Sequence, residues 1–315
     1  MPIYRAFRNT DPPAVAAVWR SRADQMGLLQ PVSVDLLEQL VFGKLHFDPE
    51  GLILAFEGDR PLGFAHASFG PDESRQALDA AQGVLCLLLV RPGDHEAEVA
   101  SELIDRCERY LGARGARVVF GGAVRRASPF YLGLCGGSEP SGVLDSDPLA
   151  GSLYRSRGYD AVDRTFQFRC GLDGFRPAID RVQMQLRRRM AVEEIVDAPP
   201  RSFWEAVTTA GFDLTRFEVM PRGNPSPRAS VTYRDMPGDS GRGMGVIDVR
   251  VDPSHRRQGL ATFALGESFR QLARAGVASV EMLATEKNPA TVRLCRKLGM
   301  KEIARGTVFR KTVGA

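Results

Sequence analysis

Residues 255–262, "HRRQGLAT", stand between the alternating run "GMGVIDVRV" at 243–251 and a stretch with helical apolar spacing. Alternation with period two reads as a strand and spacing by threes and fours as a helix, so the octapeptide is the loop that joins them. Such a loop leaves free backbone N–H groups at the start of the helix, where the helix dipole adds partial positive charge. Gly259 has no Cβ and Ala261 a minimal one, so a ligand can come close to the backbone, and Thr262 adds a hydroxyl. Arg256 and Arg257 bring positive charge to the same approach. The stretch predicts a phosphate-binding strand–loop–helix.

The same pattern occurs earlier in the chain. Val90–Val119 lies over Val251–Val280 at an ungapped offset of 161, with Pro92 on Pro253, Ala100 on Ala261, Leu111 on Leu272 and Gly115 on Gly276. Each copy closes alike, "LYRSRGY" (153–159) matching "LCRKLGM" (294–300) at an offset of 141. The first copy therefore holds about 20 extra residues within "AVRRASPFYLGLCGGSEPSGVLDSDP", which its Gly, Pro and apolar content predicts to be an ordered loop with a short hairpin, able to cover a cleft. The Gly and Pro punctuation of "GLDGFRPAID" (171–180) marks the junction. The expected domains are 1–174, with an insertion at about 121–148, and 175–315.

In the second copy the expected order is a strand at "MAVEEIV", a helix in "PRSFWEAVTTAGF", and strands at "RFEVMPRG", "RASVTYRDM" and "GMGVIDVRV". A helix over about 259–275, the strand "SVEMLAT", a short helix over about 289–298 and a last strand "TVFRKTV" follow. The fold class is α/β: two tandem domains, each a mostly antiparallel mixed sheet with helices on both faces.

The 315 residues suit two cores of about 150 residues each. Hydrophobic and charged contents of 43% and 25% argue against a disordered chain and against a membrane protein, and the start "MPIYRAFRNTD" has no apolar signal core. A cytoplasmic protein is expected. Cys86, Cys107, Cys135, Cys170 and Cys295 are scattered, without metal-ligand spacing, so neither a metal nor a disulfide framework is expected. Only five of the 42 basic residues are Lys, and the run Arg187–Arg189 reads as a solvated face; nucleic acid and membrane are not expected as partners. No G-x-x-x-x-G-K-[ST] or correctly placed G-x-G-x-x-G supports a mononucleotide fold.

Arg256-x-x-Gly259-x-Ala261, after "IDVRVDPSH" and some 30 residues before "NPATVRLCRKLGM", resembles the R/Q-x-x-G-x-G/A loop and the N-x-x-A-x-x-L-Y-x-K-x-G-F segment of the GNAT superfamily of N-acetyltransferases. Both segments stand in the right order on the right elements. The resemblance implies acetyl-CoA as co-substrate, its pyrophosphate on the amides of Arg257, Gln258, Gly259, Leu260, Ala261 and Thr262 with Arg256 beside them. It implies that the edge of Val249, Arg250 and Val251 pairs with the pantetheine and that Asn288 hydrogen-bonds the cofactor. An amine would attack the thioester directly, a strand amide near Val251 polarising the carbonyl. The acceptor would be a small-molecule amine or a protein amino group, and the protein a monomer or homodimer.

Two departures stand out. The tyrosine that in this family protonates the leaving thiolate falls at Cys295 in the second copy and at Tyr154 in the first. The first copy's loop reads "HEAEVA", with Glu98 for Gly259 and His95 for Arg256, so Glu96 and Glu98 would repel a pyrophosphate. The first half therefore resembles a degenerate GNAT domain, in a tandem arrangement similar to that of the mycothiol synthases. Even alternation places Gly245, Ile247, Val249 and Val251 on the cofactor face and Asp248 on the other, leaving no base on the cofactor face. Cys295, Glu286 and Tyr154 are the catalytic candidates. The alternative is a protein that binds or senses acyl-CoA without turning it over.

Overall fold

The computed structural model describes residues 1–177, 180–236 and 242–313. In the first half the order is β1 (Ile3–Ala6), α1 (Pro12–Arg20), α2 (Val34–Leu37), β2 (Leu52–Glu57), β3 (Arg60–Pro71), β4 (Leu78–Val90), α3 (Glu96–Ala113), β5 (Val118–Gly121), β6 (Val143–Leu144), α4 (Pro148–Ser156) and β7 (Asp160–Gly171). A linking helix α5 (Arg181–Arg189) leads to β8 (Met190–Ile195), α6 (Phe203–Thr209), β9 (Leu214–Pro221), β10 (Ala229–Met236) and β11 (Gly243–Val251). Then come α7 (Leu260–Arg274), β12 (Ser279–Thr285), α8 (Pro289–Lys297) and β13 (Lys301–Thr312).

The helices begin where the sequence supplies caps. Asp147 accepts the Ala150 N–H at the start of α4, Asn288 that of Thr291 at the start of α8, and in both a proline follows the cap. Ser202 accepts the Glu205 N–H while the Glu205 carboxylate reaches back to the Arg201 N–H just before the cap, and together they fix the start of α6.

The thirteen strands among the described residues join one mixed sheet, in the order β1-β2-β3-β4-β5-β13-β7-β12-β11-β10-β9-β8, with β6 beside β13. The offset of 161 is reproduced residue for residue. β4 and β5 run parallel only where Gln82–Leu85 face Val118–Gly121, and β11 and β12 only where Gly243–Val246 face Ser279–Met282. In each half the two strands then part. One residue beyond, a β-bulge sets Cys86 and Ile247 outside the regular pairing.

The last strands are exchanged. β13 lies between β5 and β7, and β7 lies between β12 and β13, so each half completes the other's sheet. Separate cores form on the two sides: Phe217, Val231, Tyr233, Val246, Phe269 and Cys295 belong to one in the second half, and Leu103, Ile104, Tyr154 and Phe309 to one beside α3 and α4.

The insertion contains no hairpin of its own, contrary to the expectation. Val124 and Ser141 make a single antiparallel bridge, and β6 pairs with β13 instead. What orders the segment is the second-half sheet: Arg234 donates to the Gly137 and Ser138 carbonyls at 2.8 and 3.0 Å, and Gln167 to that of Gly136 at 2.7 Å.

Candidate functional site

The loop after β11 is built around two backbone positions in the left-handed region, Arg257 at φ 62° and Gly259 at φ 81°. Asp252 accepts the Ser254 N–H and starts the turn. Among the described residues the N–H groups of 257–262 have no hydrogen-bond partner, although Leu260 and Thr262 are buried. Six donors at the head of α7, flanked by the exposed Arg256 and Arg257, form a cradle for an anion. The Leu260 side chain is buried in the second-half core.

The linking helix α5 borders this loop, which the sequence pattern did not reveal. A Cβ on Gly259 would stand 3.0 Å from Val182 Cγ1 and 3.1 Å from Gln183 Nε2, and the Gln183 amide donates to the Gly259 carbonyl at 3.3 Å. Asp180 at the start of α5 pairs with Lys297 of α8 at 3.3 Å, so α5 ties α7 to α8.

Beyond Val246 the β12-facing edge of β11, with Val249, Arg250 and Val251, has no partner strand among the described residues. Arg256 Nε approaches the Val251 carbonyl at 3.4 Å. The bulge changes the facing that even alternation predicts. Val249 and Val251 pack with Met244 and Val246 against the α7 core, while Asp248 comes round to the face of Gly245 and Ile247. The extra residue at Ile247 shifts the alternation by one, a shift invisible in an evenly alternating sequence.

That second face is polar. Register places Arg216 and Glu218 of β9, Ser230, Thr232 and Arg234 of β10, and Asp248 and Arg250 of β11 together on it. Arg201 reaches Asp248 at 3.4 Å, Glu218 at 3.5 Å and Ser230 at 2.9 Å, and Arg250 reaches Asp248 at 2.7 Å. The first half closes over this face. Arg125 pairs with Glu139 at 3.2 Å and donates to the Ile247 carbonyl, and Trp204 of α6 donates to the Arg125 carbonyl at 3.2 Å. Lys44 sends its ammonium into the carbonyls of Pro129, Val207 and Thr208 at 3.0, 3.2 and 3.0 Å, holding α6 to the insertion. Burial brings the Lys44 pKa down to about 8 and that of Arg234 to about 10.

The catalytic candidates are not brought together. Cys295 has no exposure, and burial pushes its thiol up to about 12. Tyr154 is buried in the first-half core, its ring 5.4 Å from that of Phe309. Glu286 is exposed at the end of β12, beside Asn288, whose side chain caps α8. In the first-half loop His95 pairs with Glu98, and Glu96 with Arg22. No cluster of three or more metal-ligating side chains, and no helix long and apolar enough to cross a membrane, occurs among the described residues.

Residues 220–300, from the end of β9 through α8, match the Acetyltransferase (GNAT) family. A tandem GNAT protein from the clavulanic acid biosynthesis pathway superposes over 100% of this chain and 99% of its own, with a TM-score of 0.69 at 13% identity. A GCN5-related N-acetyltransferase from Sphaerobacter thermophilus covers 100% of this chain and 97% of its own, with a TM-score of 0.65 at 18% identity. A glucosamine N-acetyltransferase region of a fungal multi-domain GH3 β-N-acetylglucosaminidase gives a TM-score of 0.73 at 14% identity, over 99% of this chain and 38% of that one. No curated protein matches in sequence. At these identities the likeness establishes the fold: a tandem GNAT architecture in which the second half carries the family's sequence pattern.

Proposed function

We propose that the chain is an acetyl-CoA-dependent N-acetyltransferase that binds its cofactor in the second half and acetylates a primary amine of a small molecule or protein in the cytoplasm. The observation that carries this is the row of unpartnered N–H groups at 257–262, set by the left-handed Arg257 and Gly259 at the head of α7. Acetyl-CoA, when bound, supplies a thioester whose carbonyl an amine can attack directly. Residues 257–262 would hold its pyrophosphate, with Arg256 and Arg257 adding charge. The free edge at Val249, Arg250 and Val251 would pair with pantetheine amides as an added strand does.

The acceptor would enter on the polar face, between the second-half sheet and the first-half insertion. Asp248, Glu139 and Glu218, each between 15 and 22% exposed, put carboxylates on that face, where one of them, directly or through water, would take a proton from the acceptor's ammonium and so free the amine that attacks. A thiol-release assay with acetyl-CoA and a panel of polyamines, amino acids, aminoglycosides and peptides tests this reading; acceptor-dependent release is expected.

One observation favours a second reading, a non-catalytic acyl-CoA sensor. The position where the resemblance implies a thiolate-protonating tyrosine holds the fully buried Cys295. Tight acetyl-CoA binding with no release across the panel would select it.

A further inference from the structure

The first-half insertion touches both bulges. Cys86, related to Ile247 by the offset of 161, has its sulfur 3.3 Å from the Ser128 hydroxyl, while the Ile247 carbonyl accepts from the Arg125 guanidinium. A neutral hydroxyl thus stands at the bulge of the half without an anion cradle, and a charged, forked donor at the bulge of the half with one. We infer that Arg125 is a positioning residue for the proposed transfer: reaching across from the first half, it holds the Ile247–Asp248 peptide of β11 in its bulged conformation, and with it the Asp248 carboxylate on the polar face. The inference rests on the reading of that face as the acceptor's entrance.

The local geometry makes the hold necessary. The bulge takes Ile247 out of the regular pairing between β10 and β11, and the residue is only 4% exposed, so its carbonyl needs a donor from elsewhere in the fold. Arg125 supplies it. Because the peptide is planar, fixing that carbonyl also fixes the Asp248 N–H and the direction in which the chain enters Asp248. Without the extra residue the alternation of β11 would move by one position, and Asp248 would leave the polar face.

Arg125 is itself held at both ends. Its guanidinium pairs with the largely buried Glu139 at 3.2 Å, and its own carbonyl accepts the Trp204 indole N–H at 3.2 Å. The bulge therefore takes its place from the insertion and from α6 together. Arg201 at 3.4 Å and Arg250 at 2.7 Å grip the Asp248 carboxylate, whereas Arg125 acts on the backbone before it. Of these three arginines, Arg125 is the one that comes from the first half, so the half without a cradle has a direct hold on the strand beside which the chemistry is proposed.

The test uses two variants of the full chain. Arg125→Met removes the donor, and Arg125→Lys keeps the charge beside Glu139 without the planar fork that serves a carboxylate and a carbonyl at once. In the thiol-release assay turnover should fall in the order parent, Arg125→Lys, Arg125→Met, by about 10²-fold in the last, with the KM and Kd for acetyl-CoA unchanged. Amide hydrogen exchange of the ligand-free chain is the second readout: it should quicken at Asp248, more in Arg125→Met than in Arg125→Lys, while exchange at Phe269 in the second-half core stays that of the parent. Unchanged turnover, a KM for acetyl-CoA that rises in step with the lost turnover, or unchanged exchange at Asp248 would each overturn the inference. If Arg125→Met does not fold, Arg125→Lys carries both readouts. A parent chain that transfers no acetyl group contradicts the proposed function, and exchange at Asp248, read without cofactor or acceptor, then decides this inference separately.

Discussion

The ring of Tyr154 rests on the backbone of Gly121: a Cβ there would stand 2.7 Å from Cε1 and 2.8 Å from Cδ1. The positions related by the repeat are Met282 and Cys295, both buried in the second-half core. One half pairs a glycine with a tyrosine, the other a methionine with a cysteine. The size of the helix residue and the size of the strand residue change in opposite directions.

Cys295→Tyr should therefore overpack the second half against Met282, at a cost of about 1–3 kcal/mol. Adding Met282→Gly should recover part of that cost. Denaturant unfolding of both single variants and the double variant gives the coupling, and strictly additive costs would show that the two positions do not share the space.

Cys295→Ala separates packing from acid catalysis. With no exposure and a thiol pushed up to about 12, Cys295 should contribute stability of about 1 kcal/mol and leave turnover little changed. A fall of about 10²-fold in turnover, with stability and acetyl-CoA affinity intact, would make it the proton donor instead.

Gly259→Ala should act twice. The residue sits at φ 81°, and its new Cβ would press on Val182 and Gln183 of α5, so a loss of about 1–2 kcal/mol in stability is expected together with weaker acetyl-CoA binding. A variant as stable and as tight as the parent would mean that α5 yields and that the loop does not need its left-handed residue.

Lys44 gives a pH dependence whose sign follows from its burial. Its pKa falls from the ordinary 10.5 to about 8 on folding, so between those values the unfolded chain holds a proton that the folded chain has released. Raising the pH through this window favours the folded chain. The stability of the parent relative to Lys44→Met should rise between about pH 8 and about pH 10.5, and a constant difference would place the Lys44 pKa near its ordinary value.

Much of the fold is legible because the chain says it twice. The offset of 161 predicts paired strand–loop–helix units, and the expected strand 279–285 and helices near 259–275 and 289–298 lie where β12, α7 and α8 are found. Periodicity has no way to show which sheet a strand joins, so the exchange of β7 and β13 is absent from the sequence pattern. It also misses the bulge at Ile247, since "GVIDVRV" alternates evenly through a position where the backbone does not; the sense of Asp248 is reversed as a result. The cradle was readable from Gly259 and its arginines, whereas the neighbouring α5 belongs to neither repeat and had no signal to find. The polar face is assembled from β9, β10, β11, α6 and the insertion, and only the folded chain brings those segments together.

Calorimetric titration of the full chain with acetyl-CoA tests the asymmetry of the two halves most directly. One site per chain is predicted, weakened at least tenfold by Gly259→Glu, which adds a charge of the wrong sign and a side chain to the cradle, and untouched by Glu98→Gln in the first half. Two equivalent sites, or a single site indifferent to Gly259→Glu, would contradict the account.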